Sequence, residues 1–184
     1  MSEQEQDLRR RAEALEPAAL SEIYDRYASK LYSYVYHRTG NGAVAEDLTS
    51  DVFVRMLEAV QQDRAWKTSL QGWLYRIAHN LVVDHFRRSS KRDGVELDER
   101  WMAPESYNAT FEGLFNSNQL QLGMRFLTDE QQQVVILKFV EGLSNAEVAE
   151  ILGKTEGAIK ALQHRALTAL RRVVGTERHA ELPA

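Results

Sequence analysis

Residues 144–172 read SNAEVAEILGKTEGAIKALQHRALTALRR, and the fold turns on this stretch. Ser144 is a favoured helix N-cap, and Glu147 three residues on completes a capping box. Ala146, Val148, Ala149, Ile151 and Leu152 give a short helix its apolar side. Gly153 stands where a helix end calls for a left-handed residue. Thr155 can cap a second, longer helix, with Ile159, Leu162, Ala166, Leu170 and Val173 along one face. A short helix, a Gly-containing turn and a longer helix make a helix-turn-helix unit, whose second helix suits a DNA major groove. Its polar face agrees. Lys160, Gln163, His164, Arg165, Arg171 and Arg172 lie off the apolar stripe or on its edges. Between residues 154 and 178 the bases outnumber the acids, which are only Glu156 and Glu177. Such a helix complements phosphates. The competing reading is an ordinary helical hairpin with a solvated basic face. The agreement of caps, turn glycine and charge weighs against it.

Upstream, Thr128 and Gln131 form a capping box ahead of Val134, Val135, Leu137, Phe139 and Val140, and a further helix is expected over about 111–126. Residues 93–112 follow neither helix nor strand period. Gly94, Pro104 and a run of acids mark them as a linker. The first half of the chain shows three helical patterns. One starts at Pro17 and runs to about His37 with Leu20, Ile23, Tyr24, Tyr27, Leu31, Tyr34 and Val35 at steps of three and four. After a Gly40-Asn41-Gly42 turn, a second spans about 43–62, with Val44, Leu48, Val52, Phe53, Met56, Leu57 and Val60 inward. Its other side carries Glu46, Asp47, Asp51, Arg55 and Glu58. A polar loop with Trp66 leads to Thr68 and Gln71, read as the capping box of a third helix reaching about Arg92. Leu70, Leu74, Ile77, Ala78 and Leu81 form its buried stripe, and Arg76, Asn80, Val83 and Arg87 share another face. Residues 1–16 are polar and charged, with no sustained apolar face beyond Leu8, Ala12 and Leu15, so they are expected to be frayed or weakly helical.

The expected fold class is all-α, in two small helical domains. Residues 1–16 form a flexible extension, 17–92 a helical bundle, 93–111 an acidic linker, 112–174 the helix-turn-helix domain and 175–184 a short loose tail.

Charge supports two nucleic-acid surfaces despite a net charge of −4 over 184 residues. Residues 64–92 hold Arg64, Lys67, Arg76, Arg87, Arg88, Lys91 and Arg92, with Asp84 the only acid. Residues 93–117 hold Asp93, Glu96, Asp98, Glu99, Glu105 and Glu112, with Arg100 the only base. Two basic blocks are thus separated by an acidic one. The chain has no cysteine, which excludes disulfides, Cys-ligated zinc and thiol-based sensing within it. It has no apolar run of membrane-spanning length and no signal-peptide core, so a cytoplasmic location without membrane insertion is expected. The histidines, His37, His79, His85, His164 and His179, complete no metal site. No phosphate-binding glycine loop or nucleophile motif is present, so no catalytic residue, metal or cofactor is expected. A stand-alone helix-turn-helix regulator with a helical dimerisation domain is the main rival. The second basic block, set among aromatics, is a feature such a dimerisation domain does not need.

In combination the segments resemble extracytoplasmic-function (ECF) sigma factors, group IV of the sigma-70 family. Residues 19–57, ALSEIYDRYASKLYSYVYHRTGNGAVAEDLTSDVFVRML, are similar to that family's regions 2.1 and 2.2. Residues 72–92, GWLYRIAHNLVVDHFRRSSKR, resemble regions 2.3 and 2.4, and residues 127–172 resemble region 4. The resemblance implies a subunit that binds core RNA polymerase, melts promoter DNA at the −10 element and reads the −35 element. It implies docking on the clamp helices of the largest polymerase subunit through Glu46, Asp47, Asp51, Phe53 and Arg55, with a further contact to the flap. The loop at 63–69 matches the position that captures a flipped −10 base. Trp66, Lys67, Arg76, Asn80, Asp84, Arg87 and Arg88 lie where the family meets the −10 region. Thr155, Lys160, Ala161, His164 and Arg165 match positions facing the −35 element. An anti-sigma factor is the further partner such a protein implies. The chain departs from common family residues at Ser50, Thr155 and Lys160-Ala161, and Ala161 offers only apolar contact, as to a thymine methyl.

Overall fold

A computed structural model describes residues 2–93, 123–124 and 126–180, which are helices and their connections. The chain divides into two units, Met1–Glu99 and Arg100–Ala184.

In the first unit, α1 spans Glu3–Glu13, α2 Pro17–Thr39, α3 Gly42–Gln61 and α4 Leu70–Asp93. Pro17 opens α2, where its missing N–H costs nothing, and Gly40 closes it in the left-handed conformation at φ 64°. Asn41 then caps α3, its side chain accepting the Val44 N–H at 3.2 Å. Helices α2, α3 and α4 all pack on one another. Their shared core includes Ile23, Leu31, Val35, Val52, Met56, Val60, Leu74 and Ala78. Each large aliphatic buried there contributes roughly 1.5–3 kcal/mol. Tyr34 and Tyr75 meet edge to face at 5.4 Å inside it.

Three expectations for this unit are corrected. Residues 3–13 form a regular helix instead of a frayed extension. Ser2 caps it, and Leu8 and Ala12 are buried where α1 packs on α2 and α3. Arg11 reinforces the junction through Glu16 at 3.0 Å and Glu22 at 3.6 Å. Two apolar residues cannot sustain a free helix, but a preformed surface to bury them on can. The cap of α4 is also different: Ser69 Oγ, and not the Thr68 side chain, accepts the Gly72 N–H, at 3.1 Å. Trp66, expected in a polar loop, is only 1% exposed.

In the second unit, α5 spans Asp129–Val135 and continues into a π-helical turn, Ile136–Val140. The Thr128–Gln131 capping box is present in both directions. Helix α6 spans Asn145–Leu152 and α7 Glu156–Ala180. The core gathers Val134, Ile136, Leu137, Leu143, Val148, Ile151, Ile159, Ala166 and Leu170. Gln132 is buried, and its amide donates to the carbonyls of Met124 at 2.9 Å and Leu127 at 3.2 Å. Gly123 has a packing reason: a Cβ there would lie 2.6 Å from Leu170 Cδ2. The helix continues to Ala180, so a loose tail from 175 is corrected as far as that residue. The expected linker at 93–111 lies outside the described residues apart from Asp93, which ends α4. So does most of the expected helix at 111–126.

Candidate nucleic-acid and polymerase interfaces

The helix-turn-helix is assembled by short-range bonds. Ser144 Oγ accepts the Glu147 N–H at 3.2 Å while Glu147 Oε2 accepts the Ser144 N–H at 2.7 Å. Gly153 takes the left-handed conformation, φ 63° and ψ 35°, which reverses the chain. Thr155 Oγ1 accepts the Ala158 N–H at 3.2 Å and starts α7. Ile159, Leu162, Ala166 and Leu170 face inward, and α7 packs on both α5 and α6. That burial turns Thr155, Lys160, His164 and Arg165 outward, all exposed, with Ala161 half-buried between them. Lys160 with His164, and Ala161 with Arg165, are one turn apart, so the four form a continuous strip. Lys154 stands apart from this strip, paired with Glu130 at 2.7 Å. It ties the turn to α5.

The basic face of α4 is equally outward. Asn80, Arg87 and Arg88 are exposed, and Arg76 is half-buried. Arg87 pairs with half-buried Asp84 at 3.1 Å, and the exposed guanidinium can exchange that partner for a phosphate. Lys67 is exposed at the loop before α4. Trp66 is not. It lies against Trp73, ring centroids 5.8 Å apart at 35°, and its Nε1 is buried without a hydrogen-bond partner among the described residues. A base cannot stack on a ring already covered, so Trp66 is withdrawn from the direct −10 contacts. Half-buried Trp73, which the pattern placed at the border of the core, is the accessible member of the pair.

On α3, Glu46, Asp47, Asp51 and Arg55 are exposed along one side. Phe53 is a correction: it is 8% exposed and packs beneath Tyr24, centroids 4.8 Å apart. Tyr24, assigned by periodicity to the buried stripe of α2, is 55% exposed, and Val54 is 51% exposed. Helical period alone could not find this pair, because Tyr24 falls on the edge of its stripe. The available signal was Val54, apolar yet in phase with Asp47, Asp51 and Glu58.

Beside Asn80, His79 is largely buried, with Tyr34 Oη 3.3 Å from its Nδ1. Burial, and then the nearby Arg38 charge, lower its pKa to about 4. The ring is neutral at physiological pH. Among the described residues no cluster of His, Asp or Glu is arranged to hold a metal ion. No described helix is long and apolar enough to cross a membrane.

Comparison with known proteins gives two domain matches. The sigma-70 region 2 model covers residues 23–92, and the sigma-70 region 4 model covers residues 123–172. The ECF RNA polymerase sigma factor BldN of Streptomyces coelicolor is 40% identical over 172 residues. That alignment spans 91% of this chain and 65% of the relative's length. The ECF RNA polymerase sigma factor SigW of Bacillus subtilis is 30% identical over 171 residues, spanning 84% of this chain and 88% of the relative. Two solved structures share the fold. The sigma factor RpoE of Bartonella quintana, in complex with the anti-sigma factor NepR, has a TM-score of 0.65 at 22% identity, covering 84% of this chain and 96% of that one. CnrH, in complex with the cytosolic domain of CnrY, has a TM-score of 0.63 at 18% identity, covering 92% and 96%.

Proposed function

This chain belongs to the ECF RNA polymerase sigma factors of the sigma-70 family, and from that premise we propose that it binds core RNA polymerase and directs it to promoters. The observation that carries the proposal is the pairing of region 2 and region 4 in one chain, in that order. A dimeric helix-turn-helix regulator needs only the second.

The roles follow from which side chains are available. Thr155, Lys160, Ala161, His164 and Arg165 meet the −35 element. Lys160 and Arg165 supply donors for base edges or phosphates, and Ala161 an apolar contact. Lys67, Arg76, Asn80, Arg87 and Arg88 meet the −10 region. Extracting a base from the stack there costs a few kcal/mol. Trp73 beside these cations can offset part of that by stacking. Glu46, Asp47, Asp51 and Arg55 dock on the clamp helices of the largest polymerase subunit, with Tyr24 and Val54 supplying apolar area, and the second unit meets the flap. The subunit contributes no catalytic group and works in the cytoplasm, where transcription takes place. An anti-sigma factor is its regulatory partner, as RpoE of Bartonella quintana has in NepR.

Run-off transcription with core polymerase, this protein and the DNA upstream of its own gene tests the proposal. A discrete transcript that depends on this protein is expected. A core preparation that responds to another sigma factor but not to this one overturns it. Polymerase-independent binding of a palindromic site by a dimer would support the rival regulator.

A further inference from the structure

Residues 62–69 join α3 to α4 and carry exposed Lys67 and Thr68. The near end of this loop is fixed from within α3. Arg64 N–H donates to the Ala59 carbonyl at 2.8 Å, and Asp63 N–H to the Val60 carbonyl at 3.1 Å. Ala65 and Trp66 are sunk in the core. The far end falls on the first turn of α4, where backbone N–H groups have no partner inside the helix. Ser69 Oγ takes the Gly72 N–H. The Leu70 N–H is taken by Glu5 Oε1 at 2.9 Å, from a residue 65 positions away on α1. Glu5 is itself held: Ser2 Oγ accepts its backbone N–H at 3.2 Å, and Leu8 and Ala12 bury the same helix.

We propose that Glu5 is a positioning residue for promoter melting. Through the Leu70 N–H it holds the loop carrying Lys67 and Thr68 in the shape that receives the unpaired −10 strand. The proposal rests on the sigma-factor reading above. A carboxylate accepting an N–H makes a stronger bond than a neutral acceptor, and here it anchors the last backbone donor before the loop opens to solvent. Without it, that N–H turns to water and the first turn of α4 frays. The loop must then be ordered by the DNA, and ordering on binding is subtracted from affinity. Helix α1 thereby becomes a working part of the −10 surface.

The test uses the full chain with Glu5→Ala and Glu5→Gln, and Arg10→Ala as a control on the same helix. In the free protein, Glu5→Ala should speed hydrogen exchange at the Leu70 amide by about tenfold or more, and Glu5→Gln should restore most of the protection. In holoenzyme, binding of a single strand bearing the mapped −10 sequence should weaken about 5–20-fold for Glu5→Ala, with core affinity within about twofold. Glu5→Gln should recover most of that loss, and Arg10→Ala should match the parent. Unchanged exchange at Leu70 overturns the proposal, and so does unchanged strand binding. Equal losses of core and strand binding that track a lowered Tm overturn it too, because Glu5 would then be a stabilising residue only. If the parent holoenzyme fails to prefer the −10 strand over a scrambled one, the sigma-factor reading fails first. The Leu70 exchange still reports whether the bond exists.

Discussion

The helix-turn-helix of the second unit takes its caps and its turn from bonds between residues three to five positions apart, with one longer tie from Lys154 to Glu130, whereas the −10 loop of the first unit draws its supports from three helices. Ser144, Glu147, Gly153 and Thr155 each act on their own neighbourhood. Around the loop, α3 supplies Ala59 and Val60, α4 supplies Trp73 and the Gly72 N–H that Ser69 caps, and α1 supplies Glu5. The difference fits the two tasks. A recognition helix needs a rigid rod with one face outward, which local caps and a buried stripe provide. A loop that receives an unpaired strand needs a defined irregular shape, and irregular backbone has to be fastened from outside.

The largest test of this contrast is Trp66. Because its ring is buried against Trp73, Trp66→Ala should destabilise the first unit by about 3–5 kcal/mol, with Trp66→Phe costing less. Urea unfolding followed by circular dichroism measures it. Full stability in Trp66→Ala would return this ring to the surface and break the comparison.

Next is pH. The unfolded chain titrates His79 near 6.5 while the folded unit holds it at about 4. Between these values the unfolded state binds the proton and the folded state does not. Stability should therefore fall as pH drops from about 6.5 to 4, by on the order of 3 kcal/mol, and His79→Gln should flatten that slope. Chemical denaturation across the range reads it. The second unit, with no such buried histidine among its described residues, should lack this component.

Smaller effects are expected on the exposed strip of α7. Lys160→Ala or Arg165→Ala should cost about 1–3 kcal/mol if the contact is to a base, relaxing one position of the −35 preference. A phosphate contact would instead weaken all sequences alike and lower the salt slope. Binding of holoenzyme to a panel of −35 variants at several salt concentrations separates these outcomes. The smallest effect is the cap. Ser144→Ala should cost about 1 kcal/mol, confined to the second unit, because the motif is locally encoded. A comparable loss in the first unit would contradict that locality.

The helix-turn-helix, its two caps, the left-handed Gly153 and the outward strip Lys160, His164 and Arg165 were legible in the sequence. So were the three-helix bundle and the outward faces of α3 and α4. These features rest on interactions between residues within a turn or two, or on a 3.6-residue period, and both are written directly in residue order. The tertiary structure decided the rest. It made residues 3–13 a helix, chose Ser69 over Thr68 as the α4 cap, sank Trp66, and put Phe53 under Tyr24. Apart from that cap, whose bond to Gly72 is local, the outcome depends on surface or a partner atom supplied from elsewhere in the chain. Leu8 and Ala12 are buried only because α2 and α3 are there to cover them. The Leu70 N–H is satisfied only because α1 brings Glu5 to it. Residue order encodes periods and caps, but which edge residue is covered is settled when separate helices compete for the same core volume.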